Sequence, residues 1–297
     1  MKTKILFIVN PISGGKKKDN LPGIIQSNLD LNKFDYRISY TERVEHANML
    51  AKAAIKENYK IIVAVGGDGT VNEIARAIVD TDIHLSILPF GSGNGLARML
   101  KIPMDTGAAL KIINHHKSIK IDSAVLNGKA FFNIAGTGFD AQISNAFANN
   151  KKRGLLGYIK STIQEIKNYE SEEYTIELDE LKLKKRAFII SLANSTQYGN
   201  NAHIAPNADL QDGILDVVIV KPFSFFLLPF LAWRMFANSV DKSRYVEMYQ
   251  SSKIKIIRNT SAPIHLDGEP CMDSEILNIE VKPLSLNVIV KSDEQEK

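Results

Sequence analysis

Residues 66–70 read GGDGT and lie between a short apolar run, residues 61–65, and an amphipathic stretch, residues 71–79. Glycine allows the close backbone approaches that side chains block, and the N-terminus of a helix carries a partial positive charge. A turn of this kind between a strand and a helix is suited to binding phosphate. Asp68 is the unexpected member, because a carboxylate repels phosphates unless a cation or a hydroxyl proton lies between them.

Two further glycine-rich segments have the same setting. Residues 10–15 (NPISGG) follow the apolar run 5–9, and residues 90–95 (FGSGNG) follow the apolar run 85–89. In an open α/β sheet, the loops at the carboxyl ends of parallel strands meet at one crevice. Any single loop is as readily an ordinary turn, and none fits the Walker A or the dinucleotide pattern. The three loops together nevertheless predict a polyphosphate site.

The residues beside these loops predict the elements that position them. Thr70 and Glu73 have the spacing of a capping box, which predicts that a helix begins at Thr70. Thr41 precedes an amphipathic stretch, residues 42–55, and is interpreted first as the N-cap of a helix there. Residues 105–115 predict the last helix of this half of the chain.

After residue 120 the pattern changes from alternating strands and helices to strand-like runs. These runs are residues 119–126, 129–135, 173–178, 187–193, 215–221, 253–258, 264–266, 276–282 and 285–290. Asn127-Gly128, between the first two, predicts a tight hairpin. Many strands with few helices predict an antiparallel sandwich or barrel.

The three loops and three downstream segments resemble the catalytic motifs of the diacylglycerol kinase and sphingosine kinase superfamily. The downstream segments are residues 133–141, 206–217 and 267–269, in the order of the family's motifs. The resemblance implies a Rossmann-like α/β nucleotide-binding domain over residues 1–120, which the last strand, 285–297, can rejoin. It also implies a β-rich lipid-substrate domain, an antiparallel β-sandwich, over residues 121–284, with the active site between the two domains.

The resemblance assigns expected roles to individual residues. Those that match family contacts to ATP are Asn10, Pro11, Gly14, Thr41, Gly66, Gly67, Asp68, Gly69, Thr70, Asn72, Glu73 and Ser92. Glu269 matches the general base, and Asp68 and Asp122 match further catalytic positions that act together through magnesium. From the residues alone, the favoured interpretation of Glu269 is an ordinary surface turn between two strands. For Asp122 the alternative is a polar residue that opens a strand.

A separate metal site is implied at Asp209, Asp212 and Ile214, held partly by backbone oxygens. Magnesium prefers oxygen ligands, and a turn rich in Asp and Gly supplies them. A solvated loop without a metal is the alternative, and the ion would be structural. It would be distinct from the magnesium ion expected with ATP.

Phosphoryl transfer requires positioning, charge neutralisation and a base for the acceptor hydroxyl. The resemblance therefore implies an ATP- and Mg²⁺-dependent lipid kinase. Gly95 stands where many bacterial diacylglycerol-kinase-like members carry Asp, so a sphingoid base is an open alternative to diacylglycerol. Two other functions stay open: a kinase of a water-soluble acceptor, similar to NAD kinases, and a nucleotide-binding regulator without catalysis.

Composition agrees with a two-domain protein. The chain has 297 residues, a net charge of +4 and one cysteine, Cys271, which excludes a disulfide framework and favours a reducing compartment. Residues 1–9 are interpreted as the first core strand rather than a signal peptide. The expected location is the cytoplasm, with peripheral contact at the inner membrane surface. No nucleic-acid partner is expected, and a homodimer is left open.

Two segments could contact lipid. Residues 223–236 are the most apolar part of the chain but are shorter than the about 20 residues that span a bilayer. They are interpreted as protein core, as the wall of an acyl-chain cleft, or as a segment in the membrane interface with Trp233 and Arg234 at headgroup level. Lys151, Lys152 and Arg153, before the apolar residues 154–159, are either a solvated face or a contact for anionic headgroups.

Overall fold

The computed structural model describes residues 2–15, 18–148 and 169–292. The chain divides into two compact units. The first consists of Met1–Ile121 together with Leu284–Lys297, and the second consists of Asp122–Pro283.

The first unit alternates strands and helices. In chain order its elements are β1 Thr3–Val9, a 3₁₀ turn Ser13–Gly15, α1 Leu21–Asn28, β2 Phe34–Tyr40, α2 His46–Lys56, β3 Ile61–Gly66, α3 Asp68–Ile78, β4 His84–Pro89, α4 Gly95–Met99 and α5 Thr106–His115. The central strands β1, β3 and β4 are nearly continuous apolar runs and are buried along most of their length. This is the pattern of a parallel sheet that is covered on both faces.

The strands of this unit form a parallel sheet in the order β2-β1-β3-β4. The chain therefore moves from β1 to β2 on one side and then to β3 on the other side of β1. This reversal is a topological switch point, and ligands of open α/β sheets bind at the carboxyl end of the strands at such a point.

The second unit is rich in antiparallel strands. Its elements are β6 Lys129–Phe131, β7 Ile134–Gly138, α6 Phe139–Ala148, β8 Glu172–Leu178, β9 Leu181–Ala187, β10 Ile189–Ala193, β11 Gln197–Gly199, β12 Ala202–His203, β13 Leu215–Val220, a 3₁₀ turn Phe225–Leu227, α7 Leu228–Phe236, a 3₁₀ turn Val240–Lys242, β14 Val246–Ser251, β15 Lys253–Ile257, β16 Ala262–Leu266 and β17 Glu269–Asp273. Two strands cross the boundary between the units, with one end in the first unit and the other end in the second. They are β5 Ser118–Leu126 and β18 Ile276–Ile289.

Two sheets enclose the core of the second unit. One sheet has the order β14-β13-β10-β7-β16-β17, and all of its neighbouring strands are antiparallel. The other contains β9, β8, β15 and the first half of β18, also antiparallel. Ile176 and Ile256 of the second sheet share one buried cluster with Ile190 and Val217 of the first. The α/β unit and the antiparallel sandwich predicted from the sequence are therefore both confirmed.

Strand β18 changes character along its length. Residues 276–281 alternate between exposed and buried, whereas most of residues 285–289 are buried. The first half pairs antiparallel with β15, and Asn287 and Val288 pair parallel with β4. The sequence analysis predicted two separate strands, 276–282 and 285–290, and this was wrong. A single strand continues through Pro283 and Leu284, which are both exposed.

Five strands of the second unit were not predicted: β9, β11, β12, β14 and β17. β9 carries several lysines that hide its alternating apolar positions, β14 contains few β-branched residues, and β17 begins inside the segment interpreted as a turn. The hairpin at Asn127-Gly128 is confirmed, since Leu126 pairs with Lys129 across it. Both turn residues have positive φ, as a two-residue hairpin turn requires.

Candidate active site

The three glycine-rich loops of the first unit begin at the same edge of its sheet. Val9 of β1 is paired with Val65 of β3, and Gly66 of β3 is paired with Pro89 of β4. The backbone continues these pairings into the loops, because the Asn10 N–H donates to the Val65 carbonyl at 3.0 Å. The loops therefore start side by side at the carboxyl end of the parallel strands.

Asn10 links the first loop to the second across the switch point. Its side-chain Nδ2 donates to the Thr70 hydroxyl at 3.1 Å, and its Oδ1 accepts from the Ile12 N–H at 3.2 Å. Gly66 leaves room for this contact, since a Cβ there would lie 2.5 Å from the Thr70 hydroxyl oxygen. The side chains of Asn10 and Thr70 thus fix the geometry of the two loops.

Asp68 links the second loop to the third. Its carboxylate accepts backbone hydrogen bonds from Asn94 and Gly95, each at 2.8 Å. The backbones of Gly67 and Gly91 also touch, because a Cβ built on Gly91 would lie 2.6 Å from the Gly67 Cα. Asp68 therefore has a structural partner within the loops, and the contact at position 95 uses the backbone, which any non-proline residue supplies there.

The first and third loops also meet. A Cβ built on Gly14, whose φ is 65°, would lie 1.7 Å from the Phe90 carbonyl oxygen. The Lys18 ammonium donates to the Ser13 carbonyl at 2.8 Å and lies 5.0 Å from the centre of the Phe90 ring. Burial lowers the pKa of Lys18. This lysine adds a positive charge beside the loops that sequence reasoning did not single out; Lys16 and Lys17 lie outside the described residues.

Two predicted helix caps were wrong. Helix α3 begins at Asp68, with Gly67 as its N-cap and no side-chain cap, so Thr70 and Glu73 do not form a capping box. Helix α2 begins at His46, so Thr41 is not its cap. The Thr41 N–H instead continues the sheet by donating to the Val9 carbonyl at 2.8 Å. Its placement beside β1 keeps Thr41 near the carboxyl edge of the sheet.

Glu73 caps a helix, but a different one. Its carboxylate accepts hydrogen bonds from the backbone N–H groups of Glu45 and Ala47, each at 3.0 Å, at the N-terminus of α2. The Asn48 side chain donates to the Glu73 carbonyl at 2.8 Å. Sequence spacing could not predict this cap, because the carboxylate and the helix are 26 residues or more apart along the chain.

In the second unit, Asp122 is fully buried. Its carboxylate accepts from the Gly213 N–H at 2.7 Å, and its own N–H donates to the Leu210 carbonyl at 2.7 Å. Asp122 therefore holds the loop that contains the predicted metal ligands Asp209 and Asp212.

The predicted metal loop places acidic groups close together. Burial, and then the charges of Asp209 and Asp122, raise the pKa of Asp212, although backbone N–H groups oppose the shift. The Asp209 and Asp212 carboxylates each accept a backbone hydrogen bond within the loop, from Gln211 and Ile214 respectively. In the described part of the chain, no three His, Cys, Asp or Glu side chains are grouped as metal ligands. The metal site at Asp209, Asp212 and Ile214 thus stays a prediction that depends on backbone oxygens.

Glu269 is exposed and is the first residue of β17, directly after a two-residue turn. The turn residues Asp267 and Gly268 both have positive φ, at 51° and 86°. The buried Asp267 carboxylate accepts backbone hydrogen bonds from three consecutive residues, Phe132, Asn133 and Ile134, at 3.0, 2.8 and 3.1 Å. The Asp267 side chain therefore anchors the turn that precedes Glu269.

An amide side chain connects Asp122 with this turn. Asn194, which is fully buried, donates from Nδ2 to the carbonyls of Asp122 and Phe132, at 3.0 and 2.8 Å. The Phe132 N–H in turn donates to Asp267. Asp122 and the turn that precedes Glu269 thus belong to one hydrogen-bond network.

Sequence reasoning missed a buried polar cluster behind that turn. The Asp140 carboxylate lies 3.0 Å from His265 Nε2 and accepts from the Tyr198 hydroxyl at 2.8 Å. Ser191 and Tyr198 also share a hydrogen bond. A Cβ on Gly136 would lie 2.7 Å from both Asp140 and His265, so glycine is needed there. Asp140 lies within the predicted glycine motif 133–141, which was the signal available in the sequence.

The apolar segment 223–236 is partly buried and partly exposed. Leu231 is buried, and Phe223 and Met235 pack against the core, but several aromatic side chains are exposed. Of the three interpretations left open by the sequence, protein core therefore holds for only part of the segment. Among the described residues no helix is long and apolar enough to cross a membrane. Lys151, Lys152, Arg153 and residues 154–159 lie outside the described residues.

Comparison with known proteins agrees with these motifs. The diacylglycerol kinase catalytic domain matches residues 4–126, and the YegS C-terminal NAD kinase beta sandwich-like domain matches residues 133–290. The chain belongs to the diacylglycerol kinase family. Relatives in this family include the “Probable lipid kinase YegS-like” of Chromohalobacter salexigens, 31% identical over 75% of this chain and 73% of that protein. A diacylglycerol kinase of Staphylococcus aureus is 28% identical over 91% of this chain and 87% of its own length.

Solved structures extend the comparison to the fold. A “putative diacylglycerol kinase” from Bacillus anthracis superposes with a TM-score of 0.78 at 25% identity, covering 97% of both chains. An NAD kinase from Archaeoglobus fulgidus in complex with ATP gives a TM-score of 0.53 at 13% identity, covering 97% of this chain and 94% of that one. The latter likeness concerns the fold alone.

Proposed function

We propose that this protein is an ATP- and Mg²⁺-dependent lipid kinase that transfers the γ-phosphate to the hydroxyl of a lipid alcohol. The observation that carries the proposal is the convergence of three family motifs at one switch point, where Asn10 contacts Thr70 and Asp68 contacts Asn94 and Gly95. Diacylglycerol is the proposed acceptor because relatives are named for it. A sphingoid base is the alternative that the glycine at position 95 left open.

The loops of the first unit would bind the nucleotide. Glycine-rich turns at the carboxyl ends of strands bring backbone N–H groups close to phosphate oxygens, and the N-terminus of α3 adds a partial positive charge. The loops are already held against each other by side chains and close glycine contacts. Such preorganisation lowers the entropic cost of positioning the triphosphate for transfer.

Glu269 would act as the general base. Its carboxylate accepts the proton of the lipid hydroxyl while the hydroxyl oxygen bonds to the γ-phosphorus, and the bond from that phosphorus to the bridging oxygen breaks to release ADP. The exposure of Glu269 and the anchoring of its turn by Asp267 support this role, because a base must be accessible and held in place. Magnesium, when bound, would neutralise the phosphate charge.

A transfer assay with γ-labelled ATP tests the proposal. Purified protein would be offered diacylglycerol and a sphingoid base in mixed micelles, beside NAD and other soluble acceptors. We expect label in the lipid fraction, and chromatography of the product identifies the acceptor. Label in a soluble acceptor instead would refute the lipid kinase, and absence of transfer with ATP still bound would favour a regulator.

The base is tested with a matched pair of variants. Glu269→Gln keeps the size of the side chain but removes the proton acceptor, and we expect transfer to fall by about 10²–10⁴-fold with ATP affinity retained. Glu275→Gln removes an exposed carboxylate two residues after the end of β17 and should leave transfer unchanged. Unaltered turnover in Glu269→Gln would show that the base is another group.

A further inference from the structure

Helix α7 is apolar around most of its circumference, and Arg234 is its one charged residue. Leu228, Leu231, Ala232 and Met235 recur at helical spacing along one face, and Leu231 is buried while Met235 packs on the core of the second unit. The opposite face carries Phe230, Trp233 and Phe236, which are 45%, 60% and 59% exposed. A helix that is apolar all round is normally buried on all sides. The outer face of α7 is therefore an unpartnered surface.

The turn before the helix extends this surface. Phe225 and Phe226 precede α7 and are 44% and 88% exposed, and Phe226 is placed four residues before Phe230. The rings of Phe230 and Trp233 stack, with centroids 6.0 Å apart. We define the aromatic face as Phe225, Phe226, Phe230, Trp233 and Phe236. A contiguous group of large exposed aromatic side chains marks an interaction surface.

The charged residues next to the aromatic face along the sequence are mainly positive. Arg234, the one charged residue within residues 222–240, lies with its guanidinium 4.9 Å from the centre of the Phe230 ring. Lys242 and Arg244, just after the helix, are exposed, and Asp241 is the acidic residue beside them. Aromatic side chains next to cationic ones complement the apolar and anionic layers of a membrane interface.

We propose that the aromatic face is a docking surface for an anionic lipid bilayer, with its aromatic rings in the interface and Arg234, Lys242 and Arg244 at headgroup level. The choice of a bilayer rests on the proposed function, because a lipid kinase must reach an acceptor held in a membrane. A helix of nine residues lying in the interface plane agrees with this geometry, since it is too short to span.

Helix α7, which carries much of the aromatic face, is connected to the motif region of the second unit through the core of that unit. Phe223 and Met235 pack on the buried cluster that contains Phe139 and Ile143 of α6. Phe139 directly precedes Asp140 of the predicted glycine motif. Docking through α7 would thus hold a membrane against the unit that the family resemblance assigns to the lipid substrate.

Vesicle co-sedimentation tests the docking surface without requiring catalysis. The full chain would be mixed with vesicles of phosphatidylglycerol and phosphatidylcholine, and separately with phosphatidylcholine alone. We expect the double variant Phe226→Ser/Trp233→Ser to lower partitioning onto the anionic vesicles by about tenfold or more. Leu181→Ser, which removes an exposed apolar side chain from the first residue of β9, is the matched control and should bind as the parent does.

Two readouts separate the outcomes. Transfer to a short-chain diacylglycerol dissolved as monomers should be equal in the parent and the double variant, whereas transfer to vesicle-embedded diacylglycerol should fall in the variant. If the parent transfers phosphate to neither acceptor, the proposed function is refuted. The vesicle co-sedimentation result would still hold, because it does not depend on catalysis. Unchanged vesicle binding in the double variant would overturn the docking surface. So would sedimentation velocity that shows a dimer in the parent and a monomer in the double variant, because the face would then be a contact between two copies of the chain.

Discussion

The Asp267 carboxylate accepts a hydrogen bond from the Asn133 backbone N–H at 2.8 Å, and it accepts two more from the residues on either side. Asp267 precedes Glu269 by two positions, and Asn133 opens the segment that leads into β7. The motif that contains the proposed base is thus attached to the central glycine motif by a buried carboxylate. Hydrogen bonds to a charged acceptor are stronger than neutral ones, so this attachment is stiff.

Replacing Asp267 tests how much the position of Glu269 matters. Asp267→Asn leaves one acceptor oxygen and places an amide donor against backbone N–H groups. We expect the free energy of unfolding to fall by about 1.5–3 kcal/mol, because a hydrogen bond to a buried charge is lost. Urea denaturation measures the stability, and the γ-phosphate transfer assay measures the activity of the folded fraction, which should also fall.

The control for this substitution is Glu180→Gln, in the turn between β8 and β9. Glu180 is exposed, so neither stability nor transfer should change. Full transfer in folded Asp267→Asn protein would show that the anchored turn does not position the reacting group.

Local patterns predicted the elements around the loops well, and long-range contacts escaped them. The apolar runs 61–65 and 85–89 and the glycines after them were sufficient to place two strands and two loops at one sheet edge. The partners of the carboxylates could not be predicted in this way, because they are distant in the sequence. Asp68 accepts hydrogen bonds from residues 94 and 95, and Glu73 accepts them from residues 45 and 47. A short-range spacing rule assigned Glu73 to its own helix, because it cannot recognise a partner in another element.

The sandwich illustrates the same limit. Strands with β-branched alternation, such as β15, were visible in the sequence, whereas the lysine-rich β9 was recognised only from its pairing with β8. The buried cluster of Asp140, His265 and Tyr198 combines residues from three separate elements, so no local sequence pattern predicts it. The exposure of Trp233 also depends on which face of α7 meets the core, which composition does not determine.

A matched pair of glycines tests the contact between the first and third loops. Gly14 and Gly15 both have positive φ, at 65° and 62°, so alanine is strained by a similar amount at either site. A Cβ would collide with the Phe90 carbonyl at Gly14 but would meet nothing within 4 Å at Gly15. We expect Gly14→Ala to weaken ATP binding at least tenfold more than Gly15→Ala.

Equilibrium titration with a fluorescent ATP analogue measures this difference, and thermal unfolding reports the strain common to both variants. Equal affinities in the two variants would mean that the approach of the loops is not needed for nucleotide binding. Equal unfolding temperatures with unequal affinities would assign the contact at Phe90 to binding rather than to stability.

Glu73 has a structural role that is measurable without nucleotide. Glu73→Ala removes the acceptor for two N–H groups at the start of α2, and we expect a loss of about 0.5–2 kcal/mol in the free energy of unfolding. Denaturant unfolding in the absence of ATP measures it. Glu42→Ala, at an exposed carboxylate near the same helix, should have no effect. If Glu73→Ala retained full stability and lost only ATP affinity, the residue would be a nucleotide contact and not a cap.

The two histidines at the end of the first unit's sheet predict a pH-dependent stability. His84 Nδ1 lies 2.8 Å from the Ser118 hydroxyl, and its ring meets that of His116 edge-on with centroids 5.0 Å apart. Burial, and then the charge of His116, lower the pKa of His84; Asp82 opposes this shift and Lys60 adds to it. Burial also lowers the pKa of His116. Both rings therefore take up a proton less readily in the folded protein than in the unfolded chain.

The sign of the effect follows from proton uptake. Above pH 6.5, the ordinary histidine pKa, both states are neutral at these positions and the folded protein is at full stability. As the pH falls below 6.5, the unfolded chain binds protons first, so the free energy of unfolding decreases until the folded rings also titrate. We expect His84→Gln to lose less stability than the parent between pH 7.5 and about 5.5. His115→Gln, at an exposed position next to His116, should show the same dependence of the free energy of unfolding on pH as the parent. If His84→Gln also showed that dependence, the His84–His116 pair would be excluded as its cause.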